Sequence, residues 1–320
     1  MTWKTFGLGL VAAALLTGCK KDENNVLQGE VVPPRDLSEV AAEDEATLQE
    51  FLQTHFYNYE EFQTPPADFD YKIRIDTLAG DNAGKTPLID QVQSRSIQVT
   101  EQQIGVGDSE TPISHTLYYL TARAGQGVSP TIGDSVLVRY EGTYLDGRGF
   151  DSKPNFLWQE LPYFLRGYQQ GMTELRSGTL EQLVVNPDGT SNIENRGIGM
   201  VILPSGLGYF NDSGTGIAAY SPLIFKIELG LVVENTDADG DGIPTWMEDL
   251  NGNGYLFDDN TDEDEELKAF TAILRSNFVD ADDDGDGTPT RDEIVIDAQG
   301  NISFPDTDGD GTPDYLDKDS

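Results

Sequence analysis

From Thr116 onward, short apolar runs alternate with glycine-rich turns. LYYLTA (117–122), SVLVRY (135–140), LVV (183–185), GMVILP (199–204) and LIFKIELGLV (223–232) have the composition and period of strands. Val136, Val138 and Tyr140 share one face of such a strand, and Leu145-Asp146-Gly147 after it has turn chemistry. A helical stretch, Gly167 to Leu175, lies among these runs, and 186–197 reads as a loop or hairpin insertion. Many short strands around one short helix predict an α+β domain.

Ahead of this region the period changes to that of a helix. Leu48, Phe51, Leu52, His55 and Phe56 fall at helical spacing, which predicts a helix from Glu43 to about Phe62. Acidic residues at 43–45 suit its start, and Pro65-Pro66 stops it. Its apolar stripe can pack on its own domain or on a second copy in a homodimer. Residues 69–76 alternate like a strand, and 80–112 are turn-rich with no clear period. Residues 20–42 are polar, contain Pro33-Pro34, and read as a tether.

The first residues, MTWKTFGLGLVAAALLTGC, place Lys4 before an apolar run, Phe6–Leu16, too short for a stable membrane span. Leu16-Thr17-Gly18-Cys19 resembles the signal peptide of bacterial lipoproteins, in which the thiol receives the lipid. The alternative is an uncleaved anchor. Lys20-Lys21-Asp22-Glu23-Asn24 resembles a lipoprotein surface-export signal, or is a plain charged tether. These features imply a cell-envelope protein held by lipid on Cys19, at an outer membrane, on its periplasmic or surface face. The domain reading is 1–18 signal peptide, 19–42 lipidated tether, 43–110 helical segment, 111–233 α+β domain and 234–320 acidic tail.

Charge and cysteine count narrow the chemistry. The net charge of −37 excludes binding to a phosphate backbone and hence nucleic acid. The single cysteine excludes an intramolecular disulfide or a multi-thiolate zinc site. His55 and His115 are too few for a histidine-rich metal site and read as structural.

From Glu234 to the end there are 27 acidic and 4 basic residues, arranged in a repeat. DADGDGIPTWME (237–248), DLNGNGYLFDDN (249–260), DDDGDGTPTRDE (282–293) and DTDGDGTPDYLD (306–317) share twelve-position spacing. Oxygen-bearing side chains stand at positions 1, 3 and 5, glycine at 6, and an acid or amide at 12. That is the ligand spacing by which one loop surrounds Ca²⁺. The ligands are Asp237, Asp239, Asp241 and Glu248; Asp282, Asp284, Asp286 and Glu293; and Asp306, Asp308, Asp310 and Asp317. The backbone carbonyls of Ile243, Thr288 and Thr312 join them at position 7. The second unit offers Asp249, Asn251 and Asn253 and ends on Asn260, so weak binding or none is expected there. An acidic disordered tail is the competing reading, but it gives no reason for glycine at position 6 four times. The units resemble thrombospondin type 3 repeats. EDEELKAFTAILRSNF, between the second and third, is predicted as a short helix.

Four stretches of the α+β region resemble FKBP-type peptidyl-prolyl cis-trans isomerases over about 115–232: GDSVLVRYEGTYLDGRGFDS (133–152), FLRGYQQGM (164–172), VILPSGLGYF (201–210) and LIFKIEL (223–229). The resemblance implies an antiparallel sheet wrapped around one short helix, preceded by the helical segment and followed by the calcium-loop tail. It implies proline-containing polypeptides as clients and no cofactor for catalysis. By resemblance Tyr168 is the floor under the proline ring, where the family usually has tryptophan. Tyr140, Phe150, Leu165 and Phe225 are walls, with Phe156 or Trp158 as another. Tyr209 donates its hydroxyl to a substrate carbonyl, Asp151 is the rim acid, and Ile217 maps to the loop closing the pocket. Phe210 stands where the family has glycine, 186–197 is longer than usual, and Ala218-Ala219 replace prolines. Two other functions fit the same residues: a non-catalytic peptide-binding or chaperone module, and a calcium-dependent surface-attachment protein.

Overall fold

The computed structural model describes residues 33–212, 216–269 and 273–320. The leader, Cys19 and the charged residues after it lie outside these. Helix α1 (Leu37–Thr54) leads into strand β1 (His55–Tyr57), helix α2 (Tyr59–Gln63) and strand β2 (Ile75–Thr77), which pairs antiparallel with β1. Strands β3 (Gln93–Val99), β4 (Ile113–Arg123), β5 (Ser135–Tyr144) and β6 (Gly149–Glu160) follow. Then come helix α3 (Arg166–Met172), the hairpin of β7 (Leu183–Val185) and β8 (Ser191–Ile193), and strands β9 (Gly197–Leu203) and β10 (Leu223–Val233). Six strands form one antiparallel sheet in the order β3-β4-β9-β10-β5-β6. Each predicted strand of the α+β region is present, and the insertion at 186–197 is largely the tip and second strand of the β7–β8 hairpin.

Side-chain alternation gives the sheet two faces. Leu117, Val136, Val138, Val201, Leu203, Phe225 and Leu229 point to α3, packing with Tyr168, Met172 and Leu175. Tyr118, Leu120, Ile198, Met200, Ile202 and Ile224 point to the other face, where Leu48, Phe51 and Leu52 of α1 cover them. β9 is buried at every position, so its run lacks a polar alternate. Gly171 of α3 lies so close to β9 that a Cβ there would come within 2.5 Å of Val201.

Helix α1 begins six residues before the predicted start at Glu43. Asp36 caps it, accepting from the backbone N–H of Ser38 at 2.8 Å and Glu39 at 3.0 Å. The helix also ends earlier, and His55 belongs to a strand. Asp44, 4% exposed, accepts from the Ser205 N–H and hydroxyl, both at 2.7 Å, fixing α1 to the turn after β9. The stripe of Leu48, Phe51, Leu52 and Phe56 is buried within this chain, so it offers no exposed surface for a second copy. The strand predicted over 69–76 is confined to its end, and Tyr71 within it has φ of +58°.

The acidic tail packs against the sheet domain. Gln170 Nε2 donates to the Gly254 carbonyl at 3.0 Å, Arg166 Nη2 to the Asn253 carbonyl at 2.9 Å, and Tyr163 meets Phe257 and Phe278. Ile243, Ile294 and Tyr315 form a small core of the tail's own. The helix predicted between the second and third units is only a four-residue turn, α4 (Glu263–Glu266), and a 3₁₀ turn at Asn277–Val279, among the described residues. Four consecutive acids repel one another along so short a helix.

Candidate functional site: an aromatic cluster and a set of carboxylate loops

The β5–β6 hairpin, α3 and β10 bring the predicted aromatic residues together. Tyr168, 2% exposed, lies with its ring centroid 5.0 Å from Phe225 and 5.9 Å from Tyr140. Phe150 meets Phe225 edge-to-face at 5.5 Å and Tyr144 at 5.6 Å. Gly142 leaves room for Phe150, since a Cβ there would come within 2.6 Å of its ring. Leu165 and Tyr209 pack half-buried against the cluster, and Ile217 is buried in it.

Asp151 stands at the rim of this apolar surface. Asp151 is exposed and accepts from the Tyr140 hydroxyl at 2.5 Å. Burial, then the bond to Asp151, holds the Tyr140 hydroxyl well above its ordinary pKa. Burial and the charges of Asp151 and Asp212 raise Tyr209 as well. Both phenols are therefore neutral hydrogen-bond donors at ordinary pH. The Tyr168 hydroxyl is spoken for, donating to Gln159 Oε1 at 2.8 Å in the interior.

Phe156 and Trp158 do not line this cluster. The β5–β6 register shifts between Val138 and Tyr140, and Val138 pairs with Leu157. Leu157 therefore joins the inner side, packing on the cluster. Phe156 turns to the outer face under the Arg139 guanidinium, 4.9 Å from its ring, and Trp158 is 53% exposed. The reversal comes from a second shift, a one-residue bulge at Phe150-Asp151 opposite Gly142, which the sequence does not mark. Phe164, whose ring lies 5.8 Å from Tyr168, and Gln159 were also missed. So was Tyr144, whose hydroxyl accepts from the Ala218 N–H at 3.2 Å and ties the loop carrying Ile217 to the hairpin.

The four acidic units share one backbone course. The position-1 carboxylate accepts from the N–H of the position-6 glycine in each: Asp237 from Gly242 at 3.0 Å, Asp249 from Gly254 at 2.9 Å, Asp282 from Gly287 at 3.1 Å and Asp306 from Gly311 at 3.1 Å. Those glycines have φ between +74° and +106°, which a side chain rarely adopts. Asp241, Asp286 and Asp310 each accept from the amide at position 7, that of Ile243, Thr288 and Thr312.

The carboxylates are under-satisfied. One oxygen each of Asp239, Asp241, Asp282, Asp284 and Glu293, and both oxygens of Glu248, are buried without a hydrogen-bond partner. Burial and neighbouring acids push Glu248 to about 10, Asp239 to about 7, Asp241 to about 6 and Glu293 to about 7. Buried carboxylates lacking donors fit a hard cation with oxygen ligands. Asp237, Asp239 and Asp241 form one close group, Asp282, Asp284 and Asp286 a second, and Asp306, Asp308 and Asp310 an exposed third that does not include Asp317.

The second unit differs, in line with its fewer charges. The Asn251 and Asn253 amides donate to Asp258 and Asp259, and Asp259 is buried at position 11, whereas Asn260 turns to Glu266. Two further groupings were not legible in the spacing: Asp241 with Glu248 and Asp283, and Asp262 with Glu266 and Asp280. Position 2, where Asp283 stands, carries no ligand in the loop pattern.

No helix among the described residues is long and apolar enough to cross a membrane. No family model matches the chain. Over 113 residues it is 32% identical to the FKBP-type peptidyl-prolyl cis-trans isomerase FkpA of Escherichia coli, covering 35% of this chain and 36% of that protein. Over 78 residues it is 33% identical to the peptidyl-prolyl cis-trans isomerase Mip of Coxiella burnetii, covering 23% of this chain and 34% of that one. The match to FkpA of Aeromonas hydrophila is 29% identical over 175 residues and covers 53% and 57%. The crystal structure of FkpA from Escherichia coli superposes with a TM-score of 0.32 at 22% identity, covering 61% of each chain. The chain thus spans about a third of the length of the first two relatives, and over those spans it is similar in sequence to FKBP-type peptidyl-prolyl cis-trans isomerases.

Proposed function

We propose that this chain is an FKBP-type peptidyl-prolyl cis-trans isomerase of the bacterial cell envelope, carried on lipid at Cys19, acting on proline-containing polypeptides, with calcium ordering its tail. The observation that carries the isomerase reading is the convergence of Tyr140, Phe150, Tyr168 and Phe225 on one apolar surface rimmed by Asp151 and Tyr209. Rotation about an X-Pro bond has a barrier of ~18–20 kcal/mol because it breaks amide resonance. No covalent bond is made or cut, so the site needs neither nucleophile nor metal. It must hold the twisted amide better than either planar form. A twisted amide has less charge separation and favours a water-poor aromatic surface. Tyr168 and Phe225 supply the floor, Phe150 and Tyr140 the walls. The Tyr209 hydroxyl, kept protonated, is a donor for a peptide carbonyl, and Asp151 sets the field at the rim.

The test is isomerisation of a Leu-Pro peptide by the chain lacking residues 1–19, beside Asp151→Val and Tyr209→Phe. A rate above background that falls about tenfold or more in either variant supports the reading. A folded wild-type chain with no rate defeats it. A second reading, peptide binding without turnover, is favoured by one feature. Phe210, directly after Tyr209, has φ of +47° and packs against Tyr220, itself at +56°, so the residue following the donor is held in a conformation that side chains rarely take.

A further inference from the structure

We propose that one divalent cation joins the first and third acidic units, held by Asp241 and Glu248 of the first and by Asp283 of the third. This rests on the calcium reading of the tail and goes beyond it, because a ligand is supplied across units by a residue outside the twelve-position pattern.

The three carboxylates lie with ligand oxygens within 4.8 Å of one another, and each residue is only 1–2% exposed. Asp241 Oδ2, both oxygens of Glu248 and both oxygens of Asp283 lack any hydrogen-bond partner among the described residues. No lysine, arginine, amide or hydroxyl among the described residues hydrogen-bonds to these five oxygens; Arg291 acts on Asp241 only through space, and the Ile243 amide serves its other oxygen. Burying a charge without a partner is strongly unfavourable, and burying three together more so. A hard cation removes both penalties at once and takes carboxylate oxygens, one or two from each acid.

Asp283 is placed for this role and not for its own loop. Within the third unit, Asp282, Asp284 and Asp286 form their own group, and Asp283 between them is not part of it. Its amide donates to Thr290 Oγ1 at 3.0 Å, and Thr290 is fully buried. The same contact recurs in the first unit, where the Ala238 amide donates to Thr245 Oγ1 at 3.2 Å. The backbone at position 2 is thus set alike in the two units, but the side chains differ. Position 2 is Ala238, Leu250 and Thr307 in the other three units, and acidic only at Asp283.

The chain lacking residues 1–19 is titrated with calcium chloride by calorimetry and melted in calcium and in EDTA, alongside Asp283→Asn. Asparagine keeps the shape and removes one charge. Expected is the loss of one tight calcium equivalent, or its weakening by about tenfold or more, with the remaining sites unchanged. Expected also is a reversal in the melts: the variant is less stable than wild type in calcium and no less stable in EDTA, where Asp283 has no cation to hold. A drop in both media assigns Asp283 a plain structural role and overturns the proposal. Wild-type calcium stoichiometry and affinity in the variant overturn it too, with the loop sites left standing. A wild-type chain that takes up no calcium removes this inference together with the calcium reading, and the isomerase reading is judged separately by its own assay.

Discussion

The Tyr140 hydroxyl donates to Asp151 Oδ2 at 2.5 Å, across the hairpin whose register pairs Tyr140 with Lys153 and Gly142 with Asp151. The bond aims an exposed carboxylate back over an aromatic floor. Tyr140→Phe keeps the wall and removes the donor. Asp151 is well solvated, so the stability cost is expected to be about 1 kcal/mol or less by urea titration. Isomerisation should fall more than stability does, because the acid is no longer oriented. A rate equal to wild type would count against a positioned Asp151.

Tyr168 and Gln159 form the opposite case, a buried pair. Tyr168→Phe leaves Gln159 Oε1 without its donor in a place that is 4% exposed. The expected loss is about 1–3 kcal/mol in denaturant unfolding. The ring stays, so the rate of the folded variant should remain within about threefold of wild type, less than 1 kcal/mol in the barrier. A collapse in rate without loss of stability would place the hydroxyl in the chemistry.

Glu228 joins two arginines beneath the sheet. It accepts from Arg139 Nη2 at 2.6 Å and from Arg196 Nε, and Arg196 is 4% exposed. Glu228→Ala strands a buried guanidinium and is expected to destabilise by about 3–5 kcal/mol. Thermal melting of this variant should show a far larger drop than Glu141→Ala, whose carboxylate is exposed and pairs only with Lys226.

The tail gives a pH dependence whose sign calcium controls. Without metal, burial holds Glu248 near a pKa of about 10, Asp239 and Glu293 near about 7, and Asp241 near about 6. An acid whose pKa rises on folding stabilises the fold fully below its ordinary range, and that contribution is lost as pH climbs to the folded value. In EDTA the melting temperature should therefore fall from about pH 5 to about pH 8. Saturating calcium displaces the protons and should flatten or reverse the slope. A flat profile in EDTA would contradict this.

Strand positions and the aromatic cluster were legible because period-2 alternation and turn residues survive in sequence. Tyr140 and Phe225 lie on the face that alternation assigns them, and Phe150 joins them at a bulge. What was lost depended on breaks in that alternation. The one-residue bulge at Phe150, opposite Gly142, put Leu157 inside where Phe156 or Trp158 was expected. The start of α1 was hidden because Asp36, a single capping residue, outweighs a run of acids seven residues later. In the tail, ligand spacing was readable within each loop, whereas Asp283 and Asp259 became visible only once separate segments packed together. Local patterns encode local geometry, and contacts between units leave no periodic trace.

Arg166 and Gln170 leave α3 on the side away from the aromatic floor and clasp the carbonyls of Asn253 and Gly254. The helix that carries Tyr168 is thus bolted at its back to the second acidic unit. The sheet domain is not a free-standing part. Cutting the chain after Val233 would uncover the buried Gln170 and the outward face of Arg166, and loosen the floor from behind. Any rate measured on such a fragment would describe a slacker site than the one the full chain builds.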